Sequence, residues 1–259
     1  MSRAETYRQE LRSVDPDALE AWVMERSGLP GPRGNLELLD AISTDLPAAT
    51  LRAWAARSPE VAPGGTAGEF LPACGAAGLG RLLVEAGVDA GARAELLAEL
   101  HRLARDPRWR VREGVAMALQ RWGRIRFGEL LAVLHDWASE DDRLVQRAAV
   151  AALCEPALLR EEARAVAVLD VLDAITATLP AASDRRTEPY RVLRQALGYG
   201  WSVAAVAAPV EGRRRIERWL ASDDPDVAWV MHTNLGKARL ARMDPAWVER
   251  WQRPAAAGR

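Results

Sequence analysis

Lysine is all but missing from this sequence. Lys237 is the only one, and every other side chain in a basic total of 35 is Arg. Guanidinium forks suit phosphate or carboxylate recognition. An acidic total of 36 offsets them and leaves a formal charge of −1, which argues against a dedicated nucleic-acid binder but leaves room for a local basic face. The same skew, with abundant Ala, Gly and Pro, is what a GC-rich coding sequence produces. Phe and Tyr are scarce, at 2 and 3, against 10 Trp. β-Branched residues do not dominate, whereas Ala, Leu, Arg and Glu do, so composition favours helix over strand. Cysteine is limited to Cys74 and Cys154, both in apolar helical stretches, where buried free thiols are expected rather than a disulfide or a metal site. No apolar run approaches the roughly 20 residues that span a bilayer, and no apolar segment follows Met1-Ser2-Arg3-Ala4-Glu5. A cytoplasmic location and no membrane partner are the expectations.

Catalytic signatures are missing too. There is no His-Glu-x-x-His, no Gly-x-Ser-x-Gly and no Cys pair at metal spacing. Gly75-Ala76-Ala77-Gly78-Leu79-Gly80 has no strand before it and the wrong spacing for a dinucleotide fingerprint; it reads as small residues that let two helices approach closely. Pro30-Gly31-Pro32-Arg33-Gly34 lacks the Gly-Lys-Ser/Thr ending of a phosphate loop. His101, His135 and His232 are spread along the chain, and positions one repeat apart stack at roughly 10 Å, too far to share a zinc ion. No metal and no cofactor are expected.

What the chain does contain is a repeat. The unit Asp106-Pro107-Arg108-Trp109-Arg110-Val111-Arg112-Glu113-Gly114-Val115-Ala116-Met117-Ala118-Leu119 recurs 34 residues on, with Val111 matching Val145 and Leu119 matching Leu153. The preceding helix shifts with it, Leu100 onto Leu134 and His101 onto His135. A further shift of 82 places Val145 on Val227, Leu153 on Leu235 and Trp137 on Trp219. Each unit reads as two amphipathic helices around a short acidic or proline turn, with Val111, Val115, Leu119 and Trp122 on one face. Helix pairs are expected at 92–105/108–122, 127–138/143–155 and 211–221/225–237. One pair cannot bury its stripe alone; stacking on the next pair does so.

The Asp106-Pro107 turn and the helix from Val111 to Leu119 resemble the second helix of a HEAT repeat, over 97–122, 131–154 and 213–236. That resemblance implies an all-α, right-handed α-solenoid of HEAT-like helix pairs. It divides the chain into an irregular helical N-terminal cap (1–90) and a continuous run of repeats (91–259). Gln146 and Ala228 stand where the family carries Arg, so no continuous Arg–Asp ladder is expected. Between the copies, 163–179 reads as a helix and 180–187 as a loop ending on Thr187, a helix cap. Gly198-Tyr199-Gly200 reads as a helix end, followed by a short helix from Trp201 to Ala208. Asn35 is placed to cap a helix from Leu36. Residues 253–259 are expected to fray.

Solenoids without a catalytic constellation bind extended surfaces, and a non-enzymatic module holding a protein partner on its concave second-helix face is the first functional expectation. The alternative is a DNA-binding protein, and here a weaker resemblance to the HEAT-like alkylpurine DNA glycosylases implies a basic, Trp-lined groove. The candidate binding residues are Trp109, Arg112, Arg121, Arg124 and Trp229, with no catalytic residue assigned. Further Arg groups lie at Arg185, Arg186, Arg191 and Arg194 and at Arg213, Arg214 and Arg215. Trp137 and Trp219, as repeat equivalents, are expected in the core.

Overall fold

The computed structural model describes residues 2–85 and 87–252. The expectation for 253–259 lies outside them. Within them the chain is all-α, with fourteen helices and two 3₁₀ turns, and no strand among the described residues. It forms two compact units, 1–125 and 126–259. The boundary falls inside one long helix, Trp109–Ser139, at Arg126, whose φ of −128° and ψ of 53° are not helical. Helices 90–125, read from sequence as the first repeat, therefore group with the N-terminal residues.

In the first unit the helices are α1 (Arg3–Leu11), α2 (Leu19–Arg26), α3 (Leu36–Asp45), α4 (Ala48–Ala55), α5 (Phe70–Leu82), α6 (Ala90–Leu103) and the opening part of α7 (Trp109–Ser139). The Asn35 side chain accepts from the Leu38 N–H and starts α3, as its position in the sequence implies. Helix α5 is the centre of the unit. It packs on α3, α4 and α6, and residues 70–80 along it are all buried. The glycine-rich stretch makes this packing fit: a Cβ on Gly80 would lie 2.4 Å from the Ala118 Cα, and one on Gly75 2.4 Å from the Ala55 N. Close helix approach, not phosphate binding, accounts for these glycines.

The second unit holds the rest of α7, then α8 (Arg143–Leu153), α9 (Glu162–Thr176), α10 (Glu188–Ala207), α11 (Pro209–Leu220), α12 (Pro225–Leu235), α13 (Ala238–Met243) and α14 (Pro245–Gln252). Helix α10 packs on both α8 and α12, and α9 packs on α11. The second helices of successive pairs thus form one layer and the first helices another, the solenoid stacking implied by the repeat. Val111, Val115 and Leu119 in one unit, and Val145, Leu153, Val227 and Leu235 in the other, are all buried. Asp142 and Asp224 cap α8 and α12 through their carboxylates, and Thr187 caps α10.

Two expectations need correction. Helix α10 runs unbroken through Gly198-Tyr199-Gly200, so no short separate helix begins at Trp201. A Cβ on Gly200 would sit 2.9 Å from the Cys154 Sγ, so the residue is there for closeness to α8 and not to end a helix. Trp219 is only half-buried and donates its indole N–H to Asp173 at 2.6 Å, whereas its repeat equivalent Trp137 is core. Both cysteines are buried free thiols; burial pushes Cys154 up to about 12, and Cys74 also lies well above the ordinary thiol value.

Candidate functional site

The first unit carries a groove between two helices that share a direction. One wall is α3, which presents Leu36, Leu39, Asp40 and Ser43 at one-face spacing. The other is α7, which presents Trp109, Arg110, Glu113, Gly114, Met117, Gln120, Arg121 and Arg124. The floor is α5, through Phe70, Ala73 and Ala77. The α7 backbone lies against that floor because Gly114 has no Cβ; one placed there would come within 2.5 Å of the Ala73 carbonyl oxygen.

The groove holds two hollows that meet at Met117. The larger, about 550 Å³, is bounded mainly by Pro32, Leu36, Leu39, Phe70, Trp109 and Met117, with Arg33, Arg110 and Glu113 at its edges. Leu36 is 62% exposed and Trp109 49%, large apolar surface left on a wall otherwise continuous with the core. The smaller hollow, about 100 Å³, lies between Asp40, Ser43, Gln120, Arg121 and Arg124.

Most charges in the groove are already committed. Arg110 donates to Glu69 Oε2 at 3.1 Å and to the Gly31 carbonyl at 2.8 Å, and its guanidinium lies 4.4 Å from the Trp109 ring centroid. Glu69 is fully buried and also accepts from the Gly65 N–H. Arg121 donates to Asp40 at 3.2 Å and to Ser43 and Thr44. Burial, and then the neighbouring Arg124, Arg81 and Arg8, hold its pKa below the ordinary arginine value against the pull of Asp40. Arg124 is exposed and has no hydrogen-bond or ion-pair partner among the described residues; the same is true of Arg33.

Of the residues singled out from sequence, Trp109, Arg121 and Arg124 share this groove and Arg112 does not. Arg112 is buried and donates to the carbonyls of Asp106 and Pro107 at 2.8 and 3.2 Å, tying its own turn together. Gln146, its repeat equivalent, does the same from α8, donating to the carbonyls of Glu140 and Ala138 at 2.9 and 3.4 Å. In the third copy, with Ala228 at that position, Arg185 of the preceding loop holds Asp224 and Asp226 instead. Trp229 lies in the second unit, half-exposed, with the Arg194 guanidinium 4.4 Å from its ring centroid.

Most members of the other Arg groups are paired within the protein, while Arg186 and Arg191 are exposed. Arg185 and Arg194, with the Tyr190 hydroxyl, converge on Asp226. Arg213 pairs with Asp244, Arg214 with Glu211, and Arg215 with Asp170 and Asp173. Arg108 holds Asp106 and donates to the carbonyls of Arg57, Ser58 and Ala62.

Sequence reasoning missed Leu36, Leu39, Phe70, Met117 and Arg33 as groove residues. Part of the signal was there: Trp109, Glu113, Met117, Arg121 and Arg124 recur at three- and four-residue steps on the face away from Val111, Val115 and Leu119. Which helix stands opposite that face is a matter of tertiary stacking and leaves no local mark.

No protein-family model matches the chain, and no curated protein matches it. Among solved structures, an engineered protein aligns over 94% of this chain and 98% of its own at 16% identity and a TM-score of 0.38. A designed armadillo repeat protein aligns over 90% and 98% at 15% identity and 0.38. Another designed armadillo repeat protein, in complex with the peptide (KR)4, aligns over 90% and 98% at 14% and 0.37.

Proposed function

We propose that the chain is a non-enzymatic binding module that holds a segment of a protein partner in the α3/α5/α7 groove. The observation that carries this is the 550 Å³ apolar hollow opening beside exposed Leu36 and Trp109. A bulky side chain inserted there would cover apolar surface at about 25 cal/mol per Å². Trp supplies anchoring area at such interfaces, and Trp109 is held in place by Arg110 and, through it, by Glu69. The nucleic-acid alternative has less support. Phosphate recognition needs guanidiniums free to exchange counterions, and Arg108, Arg110, Arg112 and Arg121 are tied to internal acceptors.

Photocrosslinking tests the reading. A photoreactive amino acid at position 36 is compared with one at Val61, which is also exposed in this unit but outside the groove. In lysate of the source cells, position 36 should give a discrete protein adduct that position 61 does not, and unlabelled chain should compete it away. Adducts to nucleic acid alone, or equal adducts from both positions, would overturn it.

A further inference from the structure

We infer that the segment taken by the groove is acidic on both sides of a bulky apolar residue. This rests on the binding reading above and names the partner's chemistry. The groups lining the two hollows include four guanidiniums (Arg33, Arg110, Arg121, Arg124) and two carboxylates (Asp40, Glu113). Behind the walls, Glu69 faces Arg110, and Arg8 is shared among Asp40, Asp45 and Glu5. The lining itself thus carries two more guanidiniums than carboxylates, in a chain whose total is −1. The excess is local. Arg33 sits at the mouth of the large hollow and Arg124 at the small one, on either side of Met117, and neither has a partner among the described residues. Beyond Arg33 an adjoining hollow is lined by Arg3, Arg26 and Arg33 with Glu37, Arg26 being paired with Glu25. A carboxylate beside each free guanidinium gains a charge-assisted contact, whereas a basic segment would bring like charge to both ends.

Spacing sharpens the match. Trp109 to Arg124 is fifteen residues of helix, about 22 Å at 1.5 Å per residue, which an extended strand of about seven residues covers. The bulky side chain enters at the Trp109–Met117 end, so the occupant has one acidic residue close to it, beside Arg33, and another about five positions away, beside Arg124.

The test uses the full chain and three fluorescein-labelled synthetic peptides of eleven residues. The first has a central Trp-Leu flanked on each side by two Glu within Gly and Ser. The second replaces every Glu by Lys, and the third replaces Trp-Leu by Ser-Ser. Fluorescence anisotropy in low salt should show the Glu peptide binding at least about tenfold more tightly than either twin. In the R33E/R124E chain the preference between Glu and Lys peptides should invert; both positions are exposed, and a thermal melt checks that the fold is kept. Equal binding of the Glu and Lys peptides, equal binding of the Ser-Ser twin, no binding of the Glu peptide, or an unchanged preference in R33E/R124E would each overturn the inference. A protein adduct from position 36 alongside any of those results would leave the binding module standing and discard only its acidic specificity. Loss of both would discard both.

Discussion

At the scale of single residues, the turn within each helix pair is held by different chemistry doing one job. Arg112 and Gln146 are 34 residues apart, both are buried, and both donate side-chain N–H groups to carbonyls of the turn before their own helix. Removing either donor strands buried carbonyls, so R112A and Q146A should each cost about 1–3 kcal/mol, measured as a shift in urea midpoint at unchanged slope. Leu119 is fully buried at the centre of the repeat stripe; L119A should cost about 2–5 kcal/mol by the same measurement. A loss under half a kcal/mol would mean the repeat register is mistaken. Gly114 is the sterically severe position. An added methyl meets the Ala73 carbonyl oxygen on the backbone of α5, which cannot swing aside as a side chain would. G114A should push the groove wall off its floor, destabilise the chain by about 1–3 kcal/mol and weaken groove binding with it.

At the scale of elements, the loop before α10 and the start of α12 are pinned together through one carboxylate. Asp226 receives Tyr190, Arg185 and Arg194, and Asp224 receives Arg185 while capping α12. Against the upward pull of burial, these donors hold both carboxyls below the ordinary aspartate value, while burial and the Asp226 hydrogen bond raise Tyr190. A carboxyl lowered on folding adds stability that is complete above its unfolded pKa, about 3.9, and is lost as pH falls through the lower folded value. The second unit should therefore weaken below about pH 4, and D226N should remove much of that dependence. D226N leaves Arg194 without its carboxylate, whereas Arg185 keeps Asp224, so stability at pH 7 should fall by about 1–3 kcal/mol. Urea midpoints at pH 7 and pH 3 check both statements; parallel curves for wild type and D226N would refute the first. This cluster was not legible in the sequence. Arg185 and Asp226 stand 41 residues apart, and nothing local says that they meet.

At the scale of the molecule, periodicity revealed the helix pairs and the buried stripe because both follow from a 3.6-residue repeat. Val111, Val115 and Leu119 declare a core face wherever they sit. The groove is half legible for the same reason: the Trp109-to-Arg124 face is periodic, but α3 across from it lies outside the clear repeats, where the pattern is irregular. Charge is where the linear sequence misleads most. Runs such as Arg213-Arg214-Arg215 look like a surface for phosphate, yet in the fold each of these three faces a carboxylate. That distinction sets the last prediction. Non-specific DNA affinity scales with the number of phosphates a protein neutralises and falls steeply with salt. The paired guanidiniums must leave their carboxylates before they can contribute, and the chain as a whole carries −1. Anisotropy with a plain and an alkylated duplex at about 50 mM salt should therefore show no saturable binding in the micromolar range. R121A/R124A should leave that result unchanged, since Arg121 is held by Asp40 and Arg124 alone offers one contact. Saturable binding to either duplex that weakens in R121A/R124A and falls with a steep salt slope would reverse the ranking of the two readings, since Arg121 would then have exchanged Asp40 for a phosphate.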